Sequence, residues 1–166
     1  LSKTNTHAVK STKGELTLEN VEILGSKNRG IMVEPEVAGV QPKVNMVNVS
    51  VSNAEVAGVE NRGGIITAEN LTLDTVNNQA IVNYTHKDGD TAGSVTVKGL
   101  TTKNITGNNL VNSCAGTISV NGGTLGKALK LSDFTAHSVK STGGLISLEN
   151  VTVEGTADSA AHGILA

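Results

Sequence analysis

Short stretches of alternating apolar and polar residues recur along the chain, and each ends in Asn or Gly. The first covers residues 16–20 and reads Leu-Thr-Leu-Glu-Asn. Alternation of this kind is typical of a β-strand with one buried face, and Asn or Gly accepts the left-handed backbone of a tight bend at low cost. Five further segments share the pattern, namely 44–48, 66–70, 95–99, 118–122 and 146–150. The pattern predicts six repeats of a strand that ends in a bend.

A second periodic feature is a small residue followed by a branched apolar residue. We call the branched residue the anchor. The anchors are predicted at Val9, Ile31, Val59, Ile81, Val111, Val139 and Ile164. They lie 22 to 30 residues apart, a period that indicates a solenoid. A third short alternation follows several of the bends, as at residues 21–23. The sequence therefore predicts an all-β parallel β-helix of about seven rungs, each with three short strands and a basic coil of 22 residues.

Three insertions are predicted to interrupt this regular coil. Residues 34–43 and 84–94 lengthen the first bend of the second and fourth rungs, and should leave the rod on the same side. Leu131 lies eight residues before Val139, which places the third strand of the fifth rung at residues 129–131 and an insertion at 122–127. Neither terminus has the polar cap of a solenoid end. We therefore expect residues 1–166 to be a single β-helix segment from the interior of a longer protein.

Composition and charge narrow the classes of partner. The formal net charge of −2 is spread evenly without a basic stripe, which argues against nucleic acid. No apolar run is long enough to span a bilayer, so no membrane span is expected in this segment. The only cysteine, Cys114, excludes a disulfide framework within the chain. No cofactor is predicted.

The two larger insertions carry the candidate ligand-binding residues, because repeat insertions map to loops that often form the binding face. Tolerated loop variation without a ligand is the alternative interpretation. Two carboxylates in the second loop suggest calcium, but they are too few for its ligand set, so a solvated loop is preferred and no metal is predicted. The candidate residues are Glu34, Glu36, Tyr84, His86, Asp88 and Asp90.

His137 and His162 each lie two residues before an anchor on adjacent rungs. Two imidazoles in this arrangement can share a metal ion, but no third ligand follows in that column. Simple stacking of the two rings is the preferred prediction.

The residues that directly follow the anchors are expected to point outward and to carry any catalytic chemistry. A polysaccharide lyase or hydrolase needs clustered carboxylates, or carboxylates with a metal and a basic residue. No two acids share a patch in this row, which predicts an inert face. The row comprises Lys10, Met32, Glu60, Val82, Asn112, Lys140 and Leu165.

The bend asparagines Asn20, Asn48, Asn70 and Asn150 resemble the asparagine ladder of the right-handed parallel β-helix superfamily, in the pectate-lyase-like sense. The phrase at residues 63–66, Gly-Gly-Ile-Ile, is similar to repeats of bacterial surface adhesins, which include autotransporter passenger domains.

The uncapped ends, the lack of clustered catalytic groups and the one-sided loops predict a non-catalytic structural or adhesive segment. The resemblance implies that it belongs to a bacterial surface or secreted protein, located at the cell surface or outside the cell. Its loops would bind a glycan or a host or partner protein. A fragment of a polysaccharide lyase, hydrolase or epimerase is the alternative, and an ice-binding face is a third possibility.

Overall fold

The computed structural model describes residues 6–85, 91–130 and 135–166, and in these residues every regular element is a β-strand. The strands stack in parallel into a β-solenoid of about five turns, which confirms the predicted fold class. The strands in chain order are β1 Val9–Ser11, β2 Glu15–Glu19, β3 Glu22–Ile23, β4 Arg29–Val33, β5 Lys43–Ser52, β6 Ala57–Asn61, β7 Ile65–Asn83, β8 Ser94–Leu125, β9 Val139–Val153 and β10 Ile164–Leu165. None of the described residues forms a helix long and apolar enough to cross a membrane.

The anchors stack on one another along the solenoid. Val9 pairs with Ile31, and the column continues through Val59 and Ile81. We number the coils from these residues, so that coil 1 begins at Val9 and coil 3 at Val59. The solenoid has about five turns, fewer than the seven rungs predicted, and the last anchor begins only the two-residue strand β10.

The fifth anchor differs from the prediction. Leu110, not Val111, pairs with Ile81 on one side and with Val139 on the other. Leu110 is completely buried in the core, whereas Val111 points to the outer face. Both residues are branched and apolar, so the local pattern does not distinguish them. The shift moves Asn112 from the predicted outward row into the interior.

Aliphatic side chains fill the interior from one end to the other. Besides the anchors, the second strands contribute a column of fully buried residues, which are Val44, Ile66, Val95 and Ile118. Narrow stacked coils have room for such side chains, and the chain accordingly contains only one Tyr, one Phe and no Trp.

The second bends have the predicted left-handed backbone. Asn20, Asn48 and Asn70 have φ angles of 53°, 53° and 56°. The Asn48 Nδ2 group donates to Asn20 Oδ1 at 2.9 Å, and Asn70 Nδ2 donates to Asn48 Oδ1 at 3.0 Å. Gly99 and Gly122 take over in the next two coils with φ angles of 75° and 77°, so the ladder joins three side chains.

The third strand of coil 5 also differs from the prediction. Residues 123–125 pair with residues 151–153, so the strand does not lie at 129–131 and the additional residues follow Leu125 instead of filling 122–127. Gly123 permits this register, since a Cβ there would lie 2.0 Å from the carbonyl oxygen of Leu100. Spacing to the next anchor misled the prediction because the extra length lies after the strand.

Candidate functional site: two loops joined by a buried charge network

Two long loops leave the solenoid at the same corner. Loop A, residues 34–42, joins β4 to β5, and loop B, residues 84–93, lies between β7 and β8. Coil 3 lies between them and turns this corner with residues 62–64. The Gln41 Nε2 group in loop A donates to the carbonyl oxygen of Gly63 at 3.0 Å and to that of Ala92 at 3.3 Å. Loop A therefore contacts both the short turn and the end of loop B.

The short turn fits between the loops because it contains two glycines. Gly63 has a φ of +121°, and a Cβ there would lie 2.8 Å from the carbonyl oxygen of Thr91 and 3.5 Å from Pro35 Cγ. At Gly64 a Cβ would lie 2.3 Å from Val33 Cγ1. A side chain at Gly63 would therefore clash with loop B, and one at Gly64 would clash with Val33 and with the Pro42 carbonyl oxygen of loop A.

Charged side chains on and next to three stacked strands, β1, β4 and β6, form a network beneath the loops. The Arg62 guanidinium contacts Glu34 Oε1 at 2.6 Å and Glu60 Oε1 at 2.5 Å. Arg29 Nε lies 2.6 Å from Glu60 Oε2, and Lys10 Nζ lies 2.7 Å from Glu34 Oε2. We call these five residues the charge network. All four carboxylate oxygens in it have a cationic partner.

Tyr84, the first residue of loop B, joins the charge network to that loop. Its hydroxyl donates to Glu60 Oε1 at 3.0 Å, and the Arg62 guanidinium carbon lies 5.2 Å from the centre of its ring. Beside Tyr84, Val82 and Val111 pack with Ala57 in a small apolar cluster on the outer face. Burial and the neighbouring Glu60 carboxylate raise the pKa of Tyr84 to about 12. The phenol therefore remains protonated at neutral pH.

Apart from Lys10, whose side chain is 42% exposed, the charge network is largely removed from solvent. The Glu60 side chain is only 3% exposed, and those of Arg62 and Glu34 are 13% and 16% exposed. Burial acts to raise the pKa of Glu34, but hydrogen bonds and attraction from Lys10 and Arg62 outweigh it and lower that pKa. Burial of charges is tolerated only where partners satisfy them. The pairing in this network meets that requirement.

The predicted inert face is therefore wrong in one respect, because two acids do share a patch through Arg62. The row that follows the anchors contains Glu60 but not its partners. Glu34 and Arg62 both lie three residues after an anchor, and Tyr84 lies three residues after the next. Equal distance from successive anchors places side chains in one column, and that signal was present in the sequence.

The predicted ligand-binding residues have different environments. Glu34 and Tyr84 belong to the charge network or contact it. Glu36 has a side chain 57% exposed on loop A, 4.0 Å from Lys13 Nζ. The remaining three candidates, His86, Asp88 and Asp90, lie outside the described residues.

A second asparagine ladder, inside the solenoid, supports the corner from below. Asn61, Asn83 and Asn112 are fully buried, and successive amides are joined by hydrogen bonds of 3.0 Å. Each amide also donates to a carbonyl oxygen of its own first bend, as Asn61 does to Gly64 at 2.9 Å. This ladder was not predicted, because Asn112 was expected to point outward. The signal for it in the sequence was an Asn two residues after each of three successive anchors.

The histidine pair stacks as predicted. The rings of His137 and His162 are 5.9 Å apart with an interplanar angle of 16°. His137 Nδ1 accepts a hydrogen bond from the backbone N–H of His162 at 3.1 Å, so this nitrogen has a partner within the chain. Among the described residues, no group of three or more His, Cys, Asp or Glu side chains is arranged to hold a metal ion.

The charge network is suited to holding structure more than to transferring protons. A general acid near neutral pH needs a raised carboxyl pKa, whereas the pKa of Glu34 is lowered. A phenol with a pKa of about 12 is almost entirely protonated at that pH, so it is an inefficient general base. The ion pairs and hydrogen bonds of the charge network instead connect the bases of loops A and B to coil 3.

Comparisons with protein-family models, with curated proteins and with solved structures find no match for this chain. The class established by the fold is a parallel β-solenoid.

Proposed function

We propose that this chain is a non-catalytic structural or adhesive segment of a bacterial surface or secreted protein, and that loops A and B bind a glycan or a host or partner protein. The observation that carries the proposal is the charge network, in which every carboxylate oxygen is paired. The network fixes the bases of both loops, and its ion pairs hold the pKa of Glu34 below the usual value. A binding surface that is already ordered loses less entropy when a ligand associates.

The tip of loop A supplies the exposed part of this surface. Val37 is 63% exposed and Val40 is 44% exposed, and the Val40 N–H closes a turn onto the Val37 carbonyl oxygen at 3.2 Å. Two exposed branched residues on one tight turn offer apolar contact area to a partner or to the C–H face of a sugar. Glu36 beside them adds a charge that is mostly solvated.

A fragment of a polysaccharide lyase, hydrolase or epimerase is the second candidate. It is favoured by one observation, that Glu34 and Glu60 lie on the same outer face and share Arg62. This candidate predicts chain cleavage or epimerisation by the protein as it stands. Loss of that activity on substitution of Glu60 would support the enzyme and contradict our proposal.

The binding proposal is tested with an array of bacterial and host glycans and with immobilised extracellular host proteins. We expect saturable binding by the wild-type chain and its loss in the double variant V37S/V40S. Leu24 provides the matched control, since it is 54% exposed and lies on coil 1 outside both loops. L24S should bind like the wild type. Equal losses in both variants, or no binding to any member of the panel, would contradict the role assigned to the loops.

A further inference from the structure

A cavity of about 480 Å³ opens on the side of the solenoid formed by the third strands. It forms beside the end of β8 at Leu125. The hydrogen bonds between coils 4 and 5 continue past this point, since Gly126 N–H donates to the Thr102 carbonyl oxygen at 3.1 Å and Leu129 N–H donates to the Ile105 carbonyl oxygen at 2.8 Å. The two bonds keep the same register, and Lys127 between them is exposed. Ligand sites commonly have volumes of roughly 300–1,000 Å³.

Buried hydrogen bonds hold the floor of this cavity in place. Thr102 Oγ1 donates to Asn109 Oδ1 at 2.6 Å and accepts from Gly126 N–H at 2.9 Å. Asn109 Nδ2 donates to the Gly126 carbonyl oxygen at 2.7 Å. A Cβ at Gly126 would lie 2.4 Å from the Thr102 carbonyl oxygen, so only glycine allows this close approach. These hydrogen bonds hold the Gly126 backbone in place before any ligand binds.

The cavity wall combines two cations with hydroxyl groups. Lys103 and Lys127 come from adjacent coils, and among the described residues neither ammonium group has a carboxylate within 4.0 Å. Thr101 and Thr124 add hydroxyl groups that make no hydrogen bond to another described residue. The Glu154 carboxylate accepts the Lys127 backbone N–H at 3.1 Å. The cavity thus carries two positive charges against one negative charge.

We infer that this cavity binds a sugar that carries a sulfate or phosphate ester. Lysine acts as a point charge toward tetrahedral oxyanions, whereas planar carboxylates are best matched by the fork of an arginine, and no arginine lines the cavity. Leu129 is 37% exposed at the rim and offers an apolar wall for the sugar ring. Glu154 can accept hydrogen bonds from sugar hydroxyls. The inference deepens the proposed function, since it rests on a glycan being the carrier.

Calorimetric titration of the full chain with galactose 6-sulfate, glucose 6-phosphate and galacturonate tests the inference and separates the two esters. We expect at least one ester to bind, and galacturonate to bind at least about tenfold more weakly, because loss of a charge-assisted hydrogen bond costs about 1.5–3 kcal/mol. Affinity should fall as salt is raised. Absence of binding by both esters, or equal binding of galacturonate, would overturn the inference.

Charge-matched variants locate the site. K103A and K127A should each weaken the bound ester about tenfold, whereas K27A, which removes an exposed lysine from coil 1, should leave the affinity unchanged. An equal loss in K27A would indicate attraction by net charge alone and would refute the cavity as the site. V37S/V40S should leave this titration unaltered. Loss of ester binding by the cavity and loss of ligand binding by the loops are therefore measured separately.

Discussion

Glu60→Gln is the substitution that bears most directly on the charge network. Glutamine preserves the shape of the side chain but removes the charge that faces both Arg29 and Arg62. The two guanidinium groups are 19% and 13% exposed on the side-chain scale, so water relieves only part of their unpaired charge. Breaking a buried ion pair from one side costs about 3–5 kcal/mol. The partial exposure of the arginines places the expected loss near the lower limit, about 3 kcal/mol.

Thermal unfolding followed by circular dichroism measures this loss. For a chain of this size, 1 kcal/mol corresponds to roughly 2–4 °C in Tm, so E60Q should unfold about 6–12 °C below the wild type. E69Q is the control, because Glu69 is paired with Lys98 at 3.4 Å but both side chains are more than half exposed. An exposed pair contributes about 0–1 kcal/mol, and E69Q should unfold within about 4 °C of the wild type.

The two variants together decide whether the network stabilises the corner. If E60Q shifts Tm no more than E69Q does, the buried pairing of Glu60 has no energetic weight and the argument for fixed loops fails. A larger shift in E69Q than in E60Q would contradict the burial of the network itself.

Two further predictions concern acid stability and the external ladder. The pKa of Glu34 is lowered from its usual 4.5 in the folded state, so its stabilising effect is present above that value and is lost as the pH falls through the folded pKa. As the pH falls below about 4.5, the free energy of unfolding should therefore decrease less steeply for E34Q than for the wild type, as measured by urea unfolding across pH. N48A should destabilise the chain more than N48G in urea titrations, because both lose the two amide bonds to Asn20 and Asn70 but only glycine adopts a φ of 53° without strain. Equal losses in the two Asn48 variants would show that the left-handed backbone costs alanine nothing.

The repeat itself was predictable because its signals are local. A bend that needs a positive φ selects Asn or Gly at one position, as at Asn70 and Gly99, and alternation on either side reports which face is buried. Stacking then follows from the period alone, since parallel coils align equivalent residues. For this reason the predicted second strands and bends agree with the structure.

The errors in the prediction come from features with no local signature. Leu110 and Val111 are equally apolar, and only pairing with the neighbouring coils decides which one is buried. The additional residues of coil 5 lie after Leu129, because Gly126 and Leu129 keep one register with coil 4 and only the next anchor, Val139, is displaced. No spacing rule applied to one coil at a time can locate such an insertion.

Part of the candidate site is visible in the sequence, because loop insertions change the spacing between anchors and second strands. The insertions place Glu34 and Tyr84 in the loops, and ligand binding by these residues stays a prediction. Their partners lie on coils that are distant in sequence, and Arg62 becomes relevant only when columns are compared from coil to coil. The same comparison reveals the buried ladder that begins at Asn61.

We propose that the loops bind a ligand without catalysing its cleavage, and one experiment tests this most directly. The wild-type chain and V37S/V40S are incubated with the glycans that the array identifies, or with a panel of acidic polysaccharides. Retention on the polymer and new chain ends are then measured in the same samples by mass spectrometry. We predict saturable retention that the double variant loses, with every polymer recovered intact. New chain ends that disappear in E60Q would contradict the account and identify the chain as an enzyme.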